Sequence, residues 1–169
     1  MDARGPVPAS FKRAALEAAS YVGWQSWRQL RATNLGSVPR QAGCYVVYRR
    51  AEDPPTFLPS NPGGRFKGKD PTVSPERLAA EWVPGANVVY IGKADDLFTR
   101  LNAYARFGAG EPVAHWGGRL IWQLRDADDL LVAWHALITN TPARDLEKLL
   151  LAHFACHHTG RRPLANLTG

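Results

Sequence analysis

Val88-Val89-Tyr90-Ile91-Gly92-Lys93-Ala94-Asp95-Asp96-Leu97-Phe98-Thr99-Arg100-Leu101 sets the plan of this chain. Its opening run, β-branched and aromatic, reads as a buried strand ending at Gly92. Asp95 or Asp96 then supplies a helix N-cap, and Leu97, Arg100, Leu101 and Tyr104 follow at helical spacing. The strand therefore carries Tyr90 and Lys93 to its end, and the helix returns Arg100 and Tyr104 to the same place. A phenol and two cations converging there suit an anionic substrate, above all a phosphodiester. The competing reading is an ordinary strand–helix unit with solvated charges.

Upstream, Gly43-Cys44-Tyr45-Val46-Val47-Tyr48 is a second strand. Its alternation sets Cys44, Val46 and Tyr48 on one face and Tyr45 and Val47 on the other. Between the two strands, residues 51–75 hold Pro54, Pro55, Pro59, Pro62, Pro71 and Pro75 with Gly63, Gly64 and Gly68, which excludes regular structure over most of the stretch. A long insert, about 51–85, follows from this composition and carries Arg65, Lys67 and Lys69. Those cations either reach a nucleic-acid backbone or decorate a flexible solubilising loop. Pro75 fits the first turn of a short helix through Trp82.

Downstream, the second half of Val113–Leu124 alternates like a strand, and His115 and Arg119 straddle Gly117-Gly118, which permit close backbone approach. Leu130–Leu137 is a further buried strand. Thr141-Pro142 opens the last helix, with Leu146, Leu149, Leu150, His153 and Phe154 as its apolar stripe. Glu147 lies beside that stripe. A carboxylate so placed pairs with a cation, or ligates a hard metal ion if strand ends converge on it. Pro163 then fixes the approach of Asn166 to the core.

Two helices are expected before residue 38, one over Ser10–Ala18 and one through Tyr21, Trp24, Trp27 and Leu30. Lys12, Arg13, Arg28 and Arg31 on them either face water or lie along a nucleic-acid backbone. The chain divides on this reading into a helical extension, 1–37, and one α/β (α+β) domain, 38–169. The chain's 21 basic residues against 15 acidic give a net charge of +6, which points to a polyanionic partner without requiring one. Cys44 and Cys156 read as buried hydrophobes of a reducing compartment. Met1–Ser10 lacks the apolar core of a signal peptide, so a soluble cytoplasmic protein without a membrane partner is expected, and the acceptor tripeptide Asn166-Leu167-Thr168 is idle.

Taken together, Gly43-Cys44-Tyr45, Tyr90-Ile91-Gly92, Lys93, Arg100, a late-helix glutamate and a terminal asparagine resemble the GIY-YIG nuclease family, in family order, over roughly residues 38–167. The resemblance implies a small mixed central sheet flanked by helices and a divalent-metal-dependent endonuclease acting on DNA. It implies catalytic roles for Tyr45, Tyr90, Arg100, Glu147 and Asn166, with Lys93 and Tyr104 matching the UvrC-like branch and His115 a histidine found in part of the family. Glu147 is the implied ligand of one Mg²⁺ (or Mn²⁺), and Tyr90 the base or base relay with Tyr45 as its partner, or the reverse. Arg65, Lys67, Lys69 and Arg119 are candidate nucleic-acid contacts. Cys44 departs from the family's aliphatic residue, and the connection from Tyr45 to Tyr90 is several-fold longer than its usual hairpin. A non-catalytic nucleic-acid-binding module, or a protein-interaction domain on the same fold, are the alternatives. Oligomeric state, monomer or homodimer, stays open.

Overall fold

The computed structural model describes residues 5–138 and 140–167. The outermost ends of the expected extension and domain, and Thr168 of the acceptor tripeptide, lie outside the described residues. The elements run α1 Arg13–Ala18, β1 Val22–Ser26, α2 Trp27–Ala32, β2 Gly43–Tyr48, α3 Pro75–Glu81, β3 Val88–Ala94, α4 Leu97–Gly108, β4 Leu131–Ala136 and α5 Ala143–His157.

One sheet of order β1-β4-β2-β3 forms the centre, flanked by helices. It has no parallel ladder: β3 and β4 run the same way, but β2 lies between them and pairs antiparallel with both. Tyr45 and Val47 join a core with Tyr90, Trp134, Trp27 of α2 and Leu97, Leu101, Tyr104 and Phe107 of α4. Cys44, Val46 and Tyr48 join the other core with Ile91, Leu16 of α1 and Leu146, Leu150 and Phe154 of α5. The alternation of β2 therefore divides the interior as expected, and β3 continues past Gly92 to become the edge strand.

Five expectations are corrected. The segment holding Tyr21, Trp24 and Trp27 is not one helix, because β1 occupies 22–26 and pairs with β4. Gly23 (φ 105°) and Trp24 (φ 51°) produce a bulge there that hides the strand period. The expected boundary at 37/38 accordingly falls inside a shared sheet. Residues Arg119–Gln123 form a 3₁₀ turn rather than a strand, with Leu120, Ile121, Trp122 and Gln123 all buried, so no face is left to alternate. Leu149 and Cys156 are exposed, each on the solvent side of α5.

The insert is pinned down rather than loose. Leu58 N–H donates to the Gln123 carbonyl at 2.7 Å, and Gly64 N–H to that of Phe107 at 2.9 Å. The buried Gln123 amide donates to Leu58 O at 3.0 Å and accepts from Val73 N–H at 3.1 Å. Asn61, also buried, donates to Arg119 O at 2.9 Å. Backbone groups taken from water need such partners, which gives this irregular stretch its fixed path. Among the described residues no helix is long and apolar enough to cross a membrane.

Candidate active site

β2 and β3 place Tyr45 and Tyr90 on one face of the sheet with ring centroids 5.9 Å apart. Tyr45 lies opposite Gly92 in the ladder, and a Cβ at that glycine would fall 2.5 Å from the phenol ring. Gly92 is thus the space into which Tyr45 folds. The Asp96 carboxylate accepts from Thr99 N–H at 2.7 Å and starts α4, one turn before Arg100. The guanidinium interacts with both phenols. None of these contacts has strict hydrogen-bond geometry, and both Tyr45 Oη and Arg100 Nε are buried without a well-aligned partner.

Lys93 follows Tyr90 by three residues and so points to the opposite face, where it sits across the ladder from Cys44. The half-buried Glu147 reaches this edge from α5 and interacts with Lys93, Arg100, Arg144 and Arg162. Tyr90 also feels the Glu147 charge. The phenols and the carboxylate therefore belong to opposite faces of the sheet, with Arg100 in electrostatic range of both. Arg144 and Arg162 are additions that the sequence reading missed. Arg144, three residues before Glu147 on one helix, was legible from spacing, whereas Arg162 arrives only through the turn after α5.

Burial raises the pKa of Glu147, against the pull of its four cations. Burial likewise holds the Tyr90 phenol above its ordinary range, with Arg100 acting to lower it and Glu147 to raise it. Tyr45, fully buried, is held well above that range by burial and by Tyr90. Tyr45 is closed to water, whereas Tyr90 keeps 6% of its surface exposed.

Tyr104 and His115 belong to the site's support. The Tyr104 hydroxyl donates to the Gly118 carbonyl at 2.6 Å, and the His115 ring stacks on it with centroids 4.0 Å apart. Gly118 has φ 78°, and a Cβ there would come within 2.4 Å of the Tyr104 oxygen. Only glycine satisfies both conditions. His115 is buried, and desolvation with the charge of Arg100 lowers its pKa to about 3, leaving it neutral. The Asn166 side chain accepts from Ile91 N–H at 2.9 Å and donates to Ile91 O at 2.8 Å, occupying the free edge of β3 like a short extra strand. Both of its polar atoms are committed to backbone beside Tyr90, which makes it a positioning group.

The four candidate nucleic-acid contacts separate. Arg65 pairs with Asp70 at 3.4 Å, and Lys67 lies over Phe66 at 5.4 Å. Lys69 and Arg119 instead meet at Trp116, 5.8 and 4.3 Å from its ring. Among the described residues no three His, Cys, Asp or Glu gather at one point. A lone half-buried carboxylate ringed by cations fits one hydrated hard ion that arrives with a phosphate, and does not fit an all-protein cage. Comparison with protein-family models, with curated proteins and with solved structures finds no match to this chain.

Proposed function

We propose that this chain is a divalent-metal-dependent endonuclease of the GIY-YIG kind, hydrolysing phosphodiester bonds in DNA. The observation that carries the reading is Tyr90 on the edge strand β3 with Arg100 and Glu147 both in electrostatic range of it. Phosphodiester hydrolysis needs an oriented water and a compensated pentacoordinate charge, and this edge supplies a group for each. Glu147 is the residue to hold one Mg²⁺ or Mn²⁺, which when bound would polarise the phosphate and stabilise the leaving oxygen.

Tyr90 orients the attacking water and, as phenolate, takes its proton while the new oxygen–phosphorus bond forms. A phenol titrates near 10 in water, so burial alone disfavours this role. Arg100 works in the opposite direction and stabilises the phenolate, while also countering the charge gathered on the phosphate. Tyr45 cannot reach water and instead holds Tyr90 and Arg100 in register. Lys93 and Arg100 neutralise the phosphate beside Glu147. Tyr104, His115 and Asn166 fix the walls.

Incubation of the pure protein with supercoiled plasmid, in Mg²⁺ and in EDTA, tests the reading. Nicking or linearisation in Mg²⁺ alone, lost in Glu147→Ala and in Arg100→Ala with the fold intact by circular dichroism, is the expected result. Equal cutting by wild type and either variant would sink the assignment. A binding module without turnover is the reading left if no cleavage occurs on any nucleic acid.

A further inference from the structure

Trp116 is 37% exposed, a large aromatic held at the surface in a protein whose other tryptophans have at most intermediate exposure. It precedes Gly117, where a Cβ would lie 3.3 Å from the Tyr90 hydroxyl and 3.7 Å from the Arg100 guanidinium. Successive Cα atoms are about 3.8 Å apart, so Trp116 starts one residue from the candidate reacting centre. The turn is rigid: Gly118 is fixed by Tyr104, and Arg119 O by Asn61 of the insert. Arg119 lies over the indole at 4.3 Å and donates to the Trp116 carbonyl at 3.4 Å, while Lys69 holds a second cation 5.8 Å from the ring. Arg77 of α3 adds its charge to that of Arg119. Among the described residues no carboxylate forms an ion pair with Lys69, Arg77 or Arg119.

Two cations gathered at one exposed indole, neither held in an ion pair among the described residues, suit an anion, and the indole suits a flat π-surface. Both belong to a nucleotide that is out of the duplex, since a paired base has its faces covered by its neighbours. We infer that Trp116, with Lys69 and Arg119, forms a stacking platform for an unpaired nucleotide next to the phosphate at Tyr90. The substrate is accordingly nucleic acid with a single-stranded segment, at a junction, tail or loop, rather than continuous duplex. This deepens the nuclease reading by naming its substrate class, and it rests on that reading for the position of the phosphate.

Fluorescence anisotropy in EDTA reads the platform without any cleavage, so a protein that never cuts DNA still returns an answer. Labelled single strand, blunt duplex and duplex with a single-stranded tail are titrated with wild type, Trp116→Ala, Trp116→Phe and Lys69→Gln/Arg119→Gln. Wild type should bind the tailed and single-stranded forms at least ~10-fold tighter than blunt duplex, by the usual contribution of one stacked base. Trp116→Ala should erase that preference and Trp116→Phe retain most of it. The double charge variant should weaken all three forms and shallow the salt dependence by about one unit per removed cation. An equal loss on every form in Trp116→Ala, or no loss, overturns the proposal. So does displacement of the tailed duplex by poly-glutamate at matched charge, which would assign the cluster to an acidic protein.

Discussion

Beneath α1 and α5 the sheet is covered largely by Leu16, Val46, Ile91, Leu131, Leu146, Leu150 and Phe154, with the Tyr21 and Tyr48 phenols among them and the Cys44 thiol donating to Ala143 O at 3.3 Å. Beneath α2 and α4 the same strands meet Tyr45, Tyr90, Tyr104, His115, Trp27 and Trp122. On that second face Tyr45 Oη, both His115 nitrogens, Arg100 Nε and the nitrogens of Trp27 and Trp122 are buried without a well-aligned partner. A group left so costs about 1–3 kcal/mol relative to a satisfied one. The first face is thus mainly apolar, with His153 Nε2 of α5 an unmet polar atom at its border, while the second carries several.

If that division is right, substitutions on the two faces must fail differently. Arg100→Ala should abolish metal-dependent cleavage, a loss of about 10³-fold or more for a group opposing transition-state charge, with melting temperature near that of wild type. A variant that melts early would move Arg100 into the stability column and break the contrast. Phe154→Ala, on the apolar face, should cost about 3–5 kcal/mol in urea unfolding, and any folded fraction should retain wild-type turnover per molecule. His115 sharpens the comparison through pH. Its folded pKa near 3 lies below the ordinary value of 6.5, so between those limits the unfolded chain binds the extra proton. Its stabilising contribution is complete above pH 6.5 and declines as pH falls toward 3. Stability should drop by about 2 kcal/mol between pH 7 and pH 5 from this residue alone, and His115→Phe should flatten that slope in denaturant titrations. The smallest effect is expected for Asn166→Ala, about 1–2 kcal/mol from two backbone groups returned to water, with faster amide exchange at Ile91. Unchanged exchange there would remove Asn166 from its positioning role.

The elements legible in the chain are those with uninterrupted patterning. β2 alternates through Cys44–Tyr48, α4 opens on an aspartate cap, and α5 carries Leu146, Leu150 and Phe154 at helical spacing. β1 was illegible because Tyr21, Trp24, Trp27 and Leu30 recur at helical intervals while Gly23 and Trp24 adopt positive φ, a tertiary choice set by pairing with β4. In the candidate site, Tyr45, Tyr90, Lys93, Arg100 and Glu147 could be named from the sequence, and their roles stand as proposed. Asn166 was legible as a residue and not as a clamp, since its partners are main-chain atoms 75 positions away. Trp116 gave no local signal: its exposure and its two cations depend on how Gln123 and Asn61 fasten the insert.

The clamp at Ile91 reaches beyond catalysis. A border strand with free donors and acceptors invites another chain to extend the sheet. Asn166 fills that invitation with a single side chain, one residue from Tyr90. Without that amide the Ile91 N–H and carbonyl would stand open at the border of the sheet, the geometry on which a strand from a second copy could dock.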